Sequence, residues 1–335
     1  MHYLITGHTG FKGSWLSLML KELGHEVSGY SLNPTDGSHF VLTGMESIFK
    51  HDFRNDIRSL VELEKAFAQS QPDVIVHLAA QPLVRESYAK PLETFDINVM
   101  GTLNVLEASK QIKALKAALV ITTDKVYRNV NSLDGYIESD PLGGDDPYSA
   151  SKAAADIAAQ SWIKNYAQVP MAIARAGNVI GGGDYATDRI VPDIINSFQN
   201  QKSIELRYPQ AIRPWQHVLD CLNGYMHLLD AMLTKGTTGE WNFGPEDSEK
   251  HSVSDLVNEF SQYWNIENPW LKSKIEHLDE AGYLLLNSNK ARSSLNWSDL
   301  LDFTETVRWT NDWYTSNVPP STRTMNQICS FIEMR

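Results

Sequence analysis

Only two cysteines, Cys221 and Cys329, occur in the 335 residues, so no disulfide framework holds the chain together. No Cys/His cluster has the spacing of a metal site, and no metal is expected. Nowhere do uninterrupted apolar residues approach the ~18 that a membrane helix needs. The longest candidate, Val74–Ala80, has the length of a buried strand. Positive charge is also scarce. The 29 Lys and Arg stand against 41 Asp and Glu, a net charge of −12, so a surface tracking nucleic-acid phosphates is not expected. An anionic ligand must find local cations instead. Internal repeats and low-complexity tracts are missing, which leaves an ordinary globular chain of one large or two modest domains. The first strand-like run begins at His2 and leaves no room ahead of it for a signal peptide, so the cytoplasm is the expected compartment.

What the first half does contain is a regular alternation of short apolar runs and longer helical patterns. His2–Thr6, His25–Tyr30, Val74–Ala80, Ala118–Ile121 and Met171–Arg175 read as strands. Phe11–Leu23, Ser59–Ala68, Glu93–Ile112 and Ser149–Tyr166 read as the helices between them. The alternation predicts a Rossmann-type, doubly wound parallel α/β sheet over residues 1–177. From Asn178 the texture changes, with Gly181-Gly-Gly183, isolated prolines and a tail rich in aromatics (Trp297, Trp309, Trp313). A smaller mixed α/β domain is expected over 178–335, with the helical segment at about 216–236 packing back on the first domain.

Gly7-His-Thr9-Gly10-Phe11-Lys-Gly13 joins the first strand to the first helix. There, Gly7 permits a tight turn, Gly10 the close approach of a pyrophosphate, and Gly13 close helix–strand packing. Thr9 and Phe11 belong to the same turn. The free N–H groups of the helix start complete a dinucleotide site. The acid that normally follows about 20 residues later to bind ribose hydroxyls is missing; the second strand ends Gly29-Tyr-Ser31-Leu-Asn33. Ser31 or Asn33 can hydrogen-bond a hydroxyl, and no arginine is at hand for a 2′-phosphate; Lys12 is the only nearby cation. NAD is therefore favoured over NADP. Asp52, with Phe53, is a candidate for the adenine amino group, or else a helix cap or surface turn. Leu78, Ala79 and Ala80, after the fourth strand, are expected along the cofactor.

Asp145-Asp-Pro-Tyr148-Ser-Ala-Ser-Lys152 places a tyrosine and a lysine four apart, on one face of a helix. Making a phenol of pKa about 10 work at neutral pH takes about 4 kcal/mol. One positive charge about 4 Å away supplies roughly that at an effective dielectric near 20. The spacing can thus produce a phenolate that takes a proton from a substrate hydroxyl. Thr122-Thr123-Asp124-Lys125 follows the Ala118–Ile121 strand.

With these motifs in order, the chain resembles the extended short-chain dehydrogenase/reductases, and within them the 4,6-dehydratases of nucleotide sugars that use CDP-glucose. The runs that carry the resemblance are Gly7–Leu16, His77–Ser87, Asn98–Thr102, Thr122–Lys125, Ala176–Asp184 and Ile212–Val218. Gly-Phe-Lys-Gly-Ser-Trp and Arg-Pro-Trp-Gln-His are specific to that branch. The likeness covers roughly residues 1–315, densely to about 245. It implies oxidation of the sugar C4 hydroxyl by NAD, loss of water across C5–C6, and return of hydride to C6. By position, Tyr148 is the base at O4, Lys152 its partner, and Thr123 a donor to the same hydroxyl. Asp124 protonates the leaving C6 oxygen. Lys125 takes the C5 proton where other dehydratases carry a glutamate; a purely structural Asp124–Lys125 pair is the alternative. Asn178 and Arg213 are implied at the substrate diphosphate, with Arg189 a further candidate or a solvated surface arginine. Gln81 and Arg85 are implied at the sugar, unless Arg85 simply pairs with Glu86 or Glu93. Two departures from the family pattern, Asp279-Glu-Ala281 for His-Glu-Ala and Asn287 for Asp, bear on packing near the nucleotide end.

Family members pair through the helices at about 93–112 and 149–166, so a homodimer is implied. The small residues Ala150, Ala153, Ala154, Ala155, Ala158 and Ala159 suit close helix approach, or packing on the chain's own sheet. Two other readings remain: a 4-epimerase, which needs Tyr148 and Lys152 but no Asp124-Lys125 pair, and a non-catalytic dinucleotide sensor, which needs none of them.

Overall fold

The computed structural model describes residues 1–246, 250–275 and 282–335. β1 (His2–Thr6), β2 (Glu26–Ser31), β3 (Phe49–Arg54), β4 (Val74–His77), β5 (Ala117–Ile121) and β6 (Met171–Ala176) form one sheet with a later strand, Gly239–Phe243. The order is Gly239–Phe243, β6, β5, β4, β1, β2, β3, and every neighbouring pair is parallel. This is the doubly wound α/β architecture read from the sequence. The strand order reverses between β1 and β4, where such sheets open a ligand crevice.

Because the strands are buried on both faces, they read as continuous apolar runs, yet their side chains still alternate. Tyr3, Ile5, Val74, Val76, Leu119 and Ala172 enter one core, and Leu4, Ile75, Ala118, Val120 and Ile173 enter the other. The first of these cores continues into the tail through Trp297, Trp313 and Phe331. The Val218–Lys235 helix packs on β5, β6 and the Phe11–Glu22 helix. The chain beyond residue 177 adds short strand pairs, Val179–Ile180 with Gln216–His217 and Ile212–Arg213 with His251–Ser252. Both cysteines are free. Among the described residues no helix is long and apolar enough to cross a membrane.

Three elements differ from expectation. The fourth strand stops at His77 rather than Ala80, because Leu78–Ala80 must turn away to meet the glycine loop. His77 is wedged there between the Thr6 and Thr102 hydroxyls, at 2.7 and 2.9 Å, and burial pushes its pKa down to about 3, so it is a neutral packing group. The expected helix Glu93–Ile112 is broken into Pro91–Phe95, a widened π turn Asp96–Met100, and Gly101–Ser109. The wide turn aims Asn98 at two targets: its amide nitrogen donates to Ser151 Oγ at 2.8 Å, and its Oδ1 accepts from Gln81 N at 2.8 Å. The third difference is the sheet strand Gly239–Phe243, which comes from beyond residue 177. Its Asn242 is wholly buried, bonded to Tyr127 and to the Tyr136 carbonyl, so the strand alternates apolar and polar residues instead of reading as an apolar run.

Phe243 seals that strand, its ring edge-on to Tyr225 and Trp297. Phe243→Ala is expected to cost about 3–5 kcal/mol, read as a lower urea midpoint; an unchanged midpoint would contradict this packing.

Candidate active site

The carboxyl ends of the central strands open into one cleft of about 1610 Å³. Its cofactor half is shaped by backbone. Gly7 has φ +76°, and a Cβ there would sit 2.7 Å from Ala79 N; a Cβ on Gly13 would sit 2.1 Å from Gly7 O. The loops after β1 and β4 therefore touch with no side chain between them, and the amino end of the Phe11–Glu22 helix faces the cleft. Unblocked N–H groups and small side chains suit a pyrophosphate, so the residues present fit a dinucleotide. Thr9 Oγ1 lies 2.7 Å from Ser31 Oγ, and Thr9, Ser31, Leu78, Ala79 and Ala80 all line the cleft. Asn33 does not; of the two residues proposed for the ribose, only Ser31 is in the wall. Lys12 turns toward the returning helix, its Nζ donating to Tyr225 OH at 3.3 Å.

Asp52 and Phe53 lie within β3 and are not part of the wall, which is formed there by Asn55, Asp56 and Ile57. The strand runs on to Arg54, so the first residues past its carboxyl end come later than the sequence suggested. Asp52 is instead engaged by His8 Nε2 at 3.0 Å and Arg54 Nη2 at 2.6 Å. An Asp-Ile pair just beyond a strand was the signal available for this wall.

The chemical half is built on two elements. After β5, Thr123 caps a short turn, Asp124–Val126, its Oγ1 accepting from Lys125 N at 3.4 Å. The same hydroxyl donates to Asp124 Oδ1 at 2.8 Å. Opposite stands the Pro147–Tyr166 helix, begun two residues before the expected Ser149 because Asp146 caps it by accepting from Ser149 N at 3.0 Å. This helix presents Tyr148 and Lys152 one turn apart. Burial pushes the Tyr148 phenol up to about 12, opposed by the Thr123 hydroxyl and the Arg189 guanidinium. Lys152 Nζ donates to Ile121 O at 3.1 Å. Burial, then the Lys12 ammonium, push Lys152 down to about 8, with Asp156 opposing. Burial also raises Asp124, against Lys125, Thr123 and Arg213. Among the described residues, Asp124 Oδ2 is buried without a hydrogen-bond partner. Space beside it exists because position 177 is glycine, whose Cβ would lie 3.3 Å from Oδ2 and 2.3 Å from Pro214 Cγ. Gly177 was not anticipated.

The model of the NAD dependent epimerase/dehydratase family matches residues 3–244. The chain belongs to that family. This is the extended short-chain dehydrogenase/reductase grouping that the motifs indicated. Among curated relatives, the CDP-glucose 4,6-dehydratase of Salmonella typhimurium is 43% identical over 324 residues, covering 92% of this chain and 90% of that protein. A dTDP-glucose 4,6-dehydratase of Neisseria gonorrhoeae is 28% identical, covering 94% and 95%. Two solved structures share the fold. The dTDP-glucose 4,6-dehydratase of Bacillus anthracis, in complex with NAD, matches with a TM-score of 0.80 at 22% identity, covering 97% of this chain and 99% of that one. The UDP-glucose 4-epimerase of Thermus thermophilus, also with NAD, matches with a TM-score of 0.81 at 23% identity, covering 95% and 100%.

Within this family member, the residues proposed for substrate also converge on the cleft. Gln81, Arg85, Lys125, Asn178, Arg189 and Arg213 all line it. Gln81 is committed to its own loop, with its amide nitrogen donating to Thr94 Oγ1 at 3.0 Å and its amide oxygen accepting from Leu83 N. Arg85 pairs with neither Glu86 nor Glu93 but with Asp188 across the cleft, Nη1 to Oδ1 at 2.7 Å. Arg189 lies 3.6 Å from Asp184, and Arg213 is buried. No ion pair joins Lys125 to Asp124 among the described residues. The Asn287 side chain accepts from Asn289 N through Oδ1 at 3.0 Å, and its backbone N–H donates to Tyr136 O at 2.9 Å, while Asp279-Glu-Ala281 lies outside the described residues.

A carboxyl whose folded pKa exceeds its ordinary 3.8 destabilises the fold as pH rises through that window. Asp124→Asn is therefore expected to unfold at higher denaturant than the parent at neutral pH, an advantage that vanishes below pH ~4. Equal midpoints at neutral pH would contradict the buried placement of this carboxyl.

Proposed function

We propose that the chain is an NAD-dependent nucleotide-sugar 4,6-dehydratase that converts CDP-glucose to CDP-4-keto-6-deoxyglucose and water. The observation that carries this reading is the buried Asp124 carboxyl beside the Thr123 and Tyr148 hydroxyls, with its Oδ2 left without a hydrogen-bond partner among the described residues. A 4-epimerase needs a base at O4 but no acid to assist a leaving hydroxyl, and the 43% identical relative bears the dehydratase name. NAD, when bound, supplies a reversible hydride acceptor. Tyr148 takes the proton of the C4 hydroxyl, with Thr123 holding that oxygen. The ketone so formed acidifies C5–H, and Lys125 at the cleft wall removes that proton. Asp124, kept protonated to higher pH by burial, gives its proton to the C6 oxygen as water departs. Arg213, with Asn178 nearby, serves the diphosphate; a guanidinium fork suits that dianion.

Gly7, Thr9, Gly10, Phe11 and Gly13 hold the cofactor pyrophosphate in the same proposal, and Ser31 its ribose. Two unpaired cysteines support a reducing compartment, the cytoplasm. A second copy of the chain is expected to cover Leu92, Phe95, Met100 and Ile157, which are exposed on the two helical segments proposed to pair. The alanines of the Pro147–Tyr166 helix divide accordingly: Ala153, Ala155 and Ala159 are buried against the chain itself, while Ala150, Ala154 and Ala158 are partly open. Light scattering at micromolar concentration should report the dimer mass, and a monomer would end this part of the proposal.

Incubation with NAD and a panel of CDP-, dTDP-, GDP- and UDP-hexoses should yield, from CDP-glucose, a product lighter by one water in mass spectrometry. A C4 epimer of unchanged mass would favour the epimerase reading. Tyr148→Phe should lower turnover by roughly 10²–10⁴; near-parental rates would reject its role as base.

A further inference from the structure

One layer beneath the cleft lies a buried polar cluster that the proposed chemistry does not use. Arg175 of β6 and Asp156 of the Pro147–Tyr166 helix form an ion pair whose side chains are 1% and 0% exposed. Arg175 Nε and Nη2 donate to the two carboxylate oxygens at 2.9 and 2.8 Å, a bidentate fork. Asp156 Oδ2 also accepts from Thr122 Oγ1 at 2.8 Å, and Oδ1 from Gln160 Nε2 at 2.7 Å. The remaining Arg175 nitrogen donates to Tyr127 OH at 2.9 Å and Glu138 O at 3.0 Å. Tyr127 OH in turn donates to Asn242 Oδ1 at 2.8 Å, on the last strand of the sheet.

The sequence positions of these ties matter. Thr122 immediately precedes Thr123, and Tyr127 follows Lys125 by two, so both ends of the Thr123–Lys125 turn are fastened to opposite members of one ion pair. Asp156 follows Lys152 by four and Lys152 follows Tyr148 by four, so the three share one helix face. The geometry points to Asp156–Arg175 as the positioning pair of the reaction, setting the spacing between the Thr123–Lys125 turn and the Tyr148–Lys152 face.

This inference rests on the dehydratase reading, in which one turn carries the elimination groups and one helix the C4 base. Both must meet the same sugar ring. Neither Asp156 nor Arg175 reaches the cleft wall, so both act through other residues. Burying two charges gives little net stability. A planar fork does fix distance and angle between two elements, which an apolar contact of the same volume does not.

Thr122→Val tests the claim with little risk to folding. It keeps the shape, leaves Asp156 satisfied by Arg175 and Gln160, and removes one tie. The expected result is a turnover number about tenfold lower. The KM, the calorimetric affinity for CDP and the melting temperature should all stay within error of the parent. Amide hydrogen exchange over residues 123–126 should quicken while the sheet strands keep their protection. Arg175→Lys, which keeps the charge and discards the fork, should lose at least as much turnover. Parental turnover and exchange in Thr122→Val, or a change in KM alone, would overturn the inference. A parent enzyme that removes water from no hexose nucleotide would reject the dehydratase reading instead, and the exchange measurement would still decide whether the ion pair fastens the turn.

Discussion

Two strands of backbone meet at the centre of this molecule with nothing between them. Gly7, leaving β1, lies so near Ala79, leaving β4, that a single methyl group would force them apart. Here the sheet changes winding direction, and much of the site follows from it. The amino end of the first helix is open because the turn ahead of it is bare. β4 ends early so that its loop can close that turn. Asn98 then secures the loop through Gln81, and the same asparagine reaches Ser151 on the helix that carries Tyr148 and Lys152. A contact between two glycine-and-alanine loops is thus linked, through two hydrogen bonds, to the geometry of the proposed catalytic helix.

The electrostatics share one cause. Burial penalises the charged form of each group, so it lifts Tyr148 and Asp124 and lowers Lys152. Asp124 gains as an acid. Tyr148 loses as a base and depends on cations within reach. The chain is acidic overall, with a net charge of −12, yet Lys12, Lys125, Lys152, Arg189 and Arg213 gather along one cleft. Acidic residues such as Asp124, Asp184 and Asp188 share that wall, so these cations act on a ligand at short range and not through a net positive field.

Much of the fold and the heart of the site were legible in the sequence, and for local reasons. Parallel strands covered on both faces must be apolar throughout, so β1, β4, β5 and β6 stood out. The glycine turn and the Tyr148–Lys152 spacing each lie within a dozen residues. What escaped notice depends on distant partners. Asn242 makes Gly239–Phe243 look like an amphipathic surface strand, although Tyr127, more than a hundred residues earlier, satisfies it. Asp52 was placed at the cofactor and Asp56 was not considered, because the end of β3 is set by pairing with β2, which a strand's own residues do not encode. Lys152 was expected beside the phenol because helical spacing allows it; spacing says nothing of the Ile121 carbonyl, which also accepts from that ammonium.

The strand at the far edge of the sheet has a consequence for biogenesis. It enters only after the chain has travelled through the lobe that begins beyond residue 177 and back along the Val218–Lys235 helix. While a ribosome is still making that lobe, the outer hydrogen-bonding edge of β6 has no neighbour, and Tyr127 lacks the asparagine that accepts its hydroxyl hydrogen. The nascent first half is therefore an open, adhesive β-edge, and its closure must wait for residues that the cofactor site itself never touches.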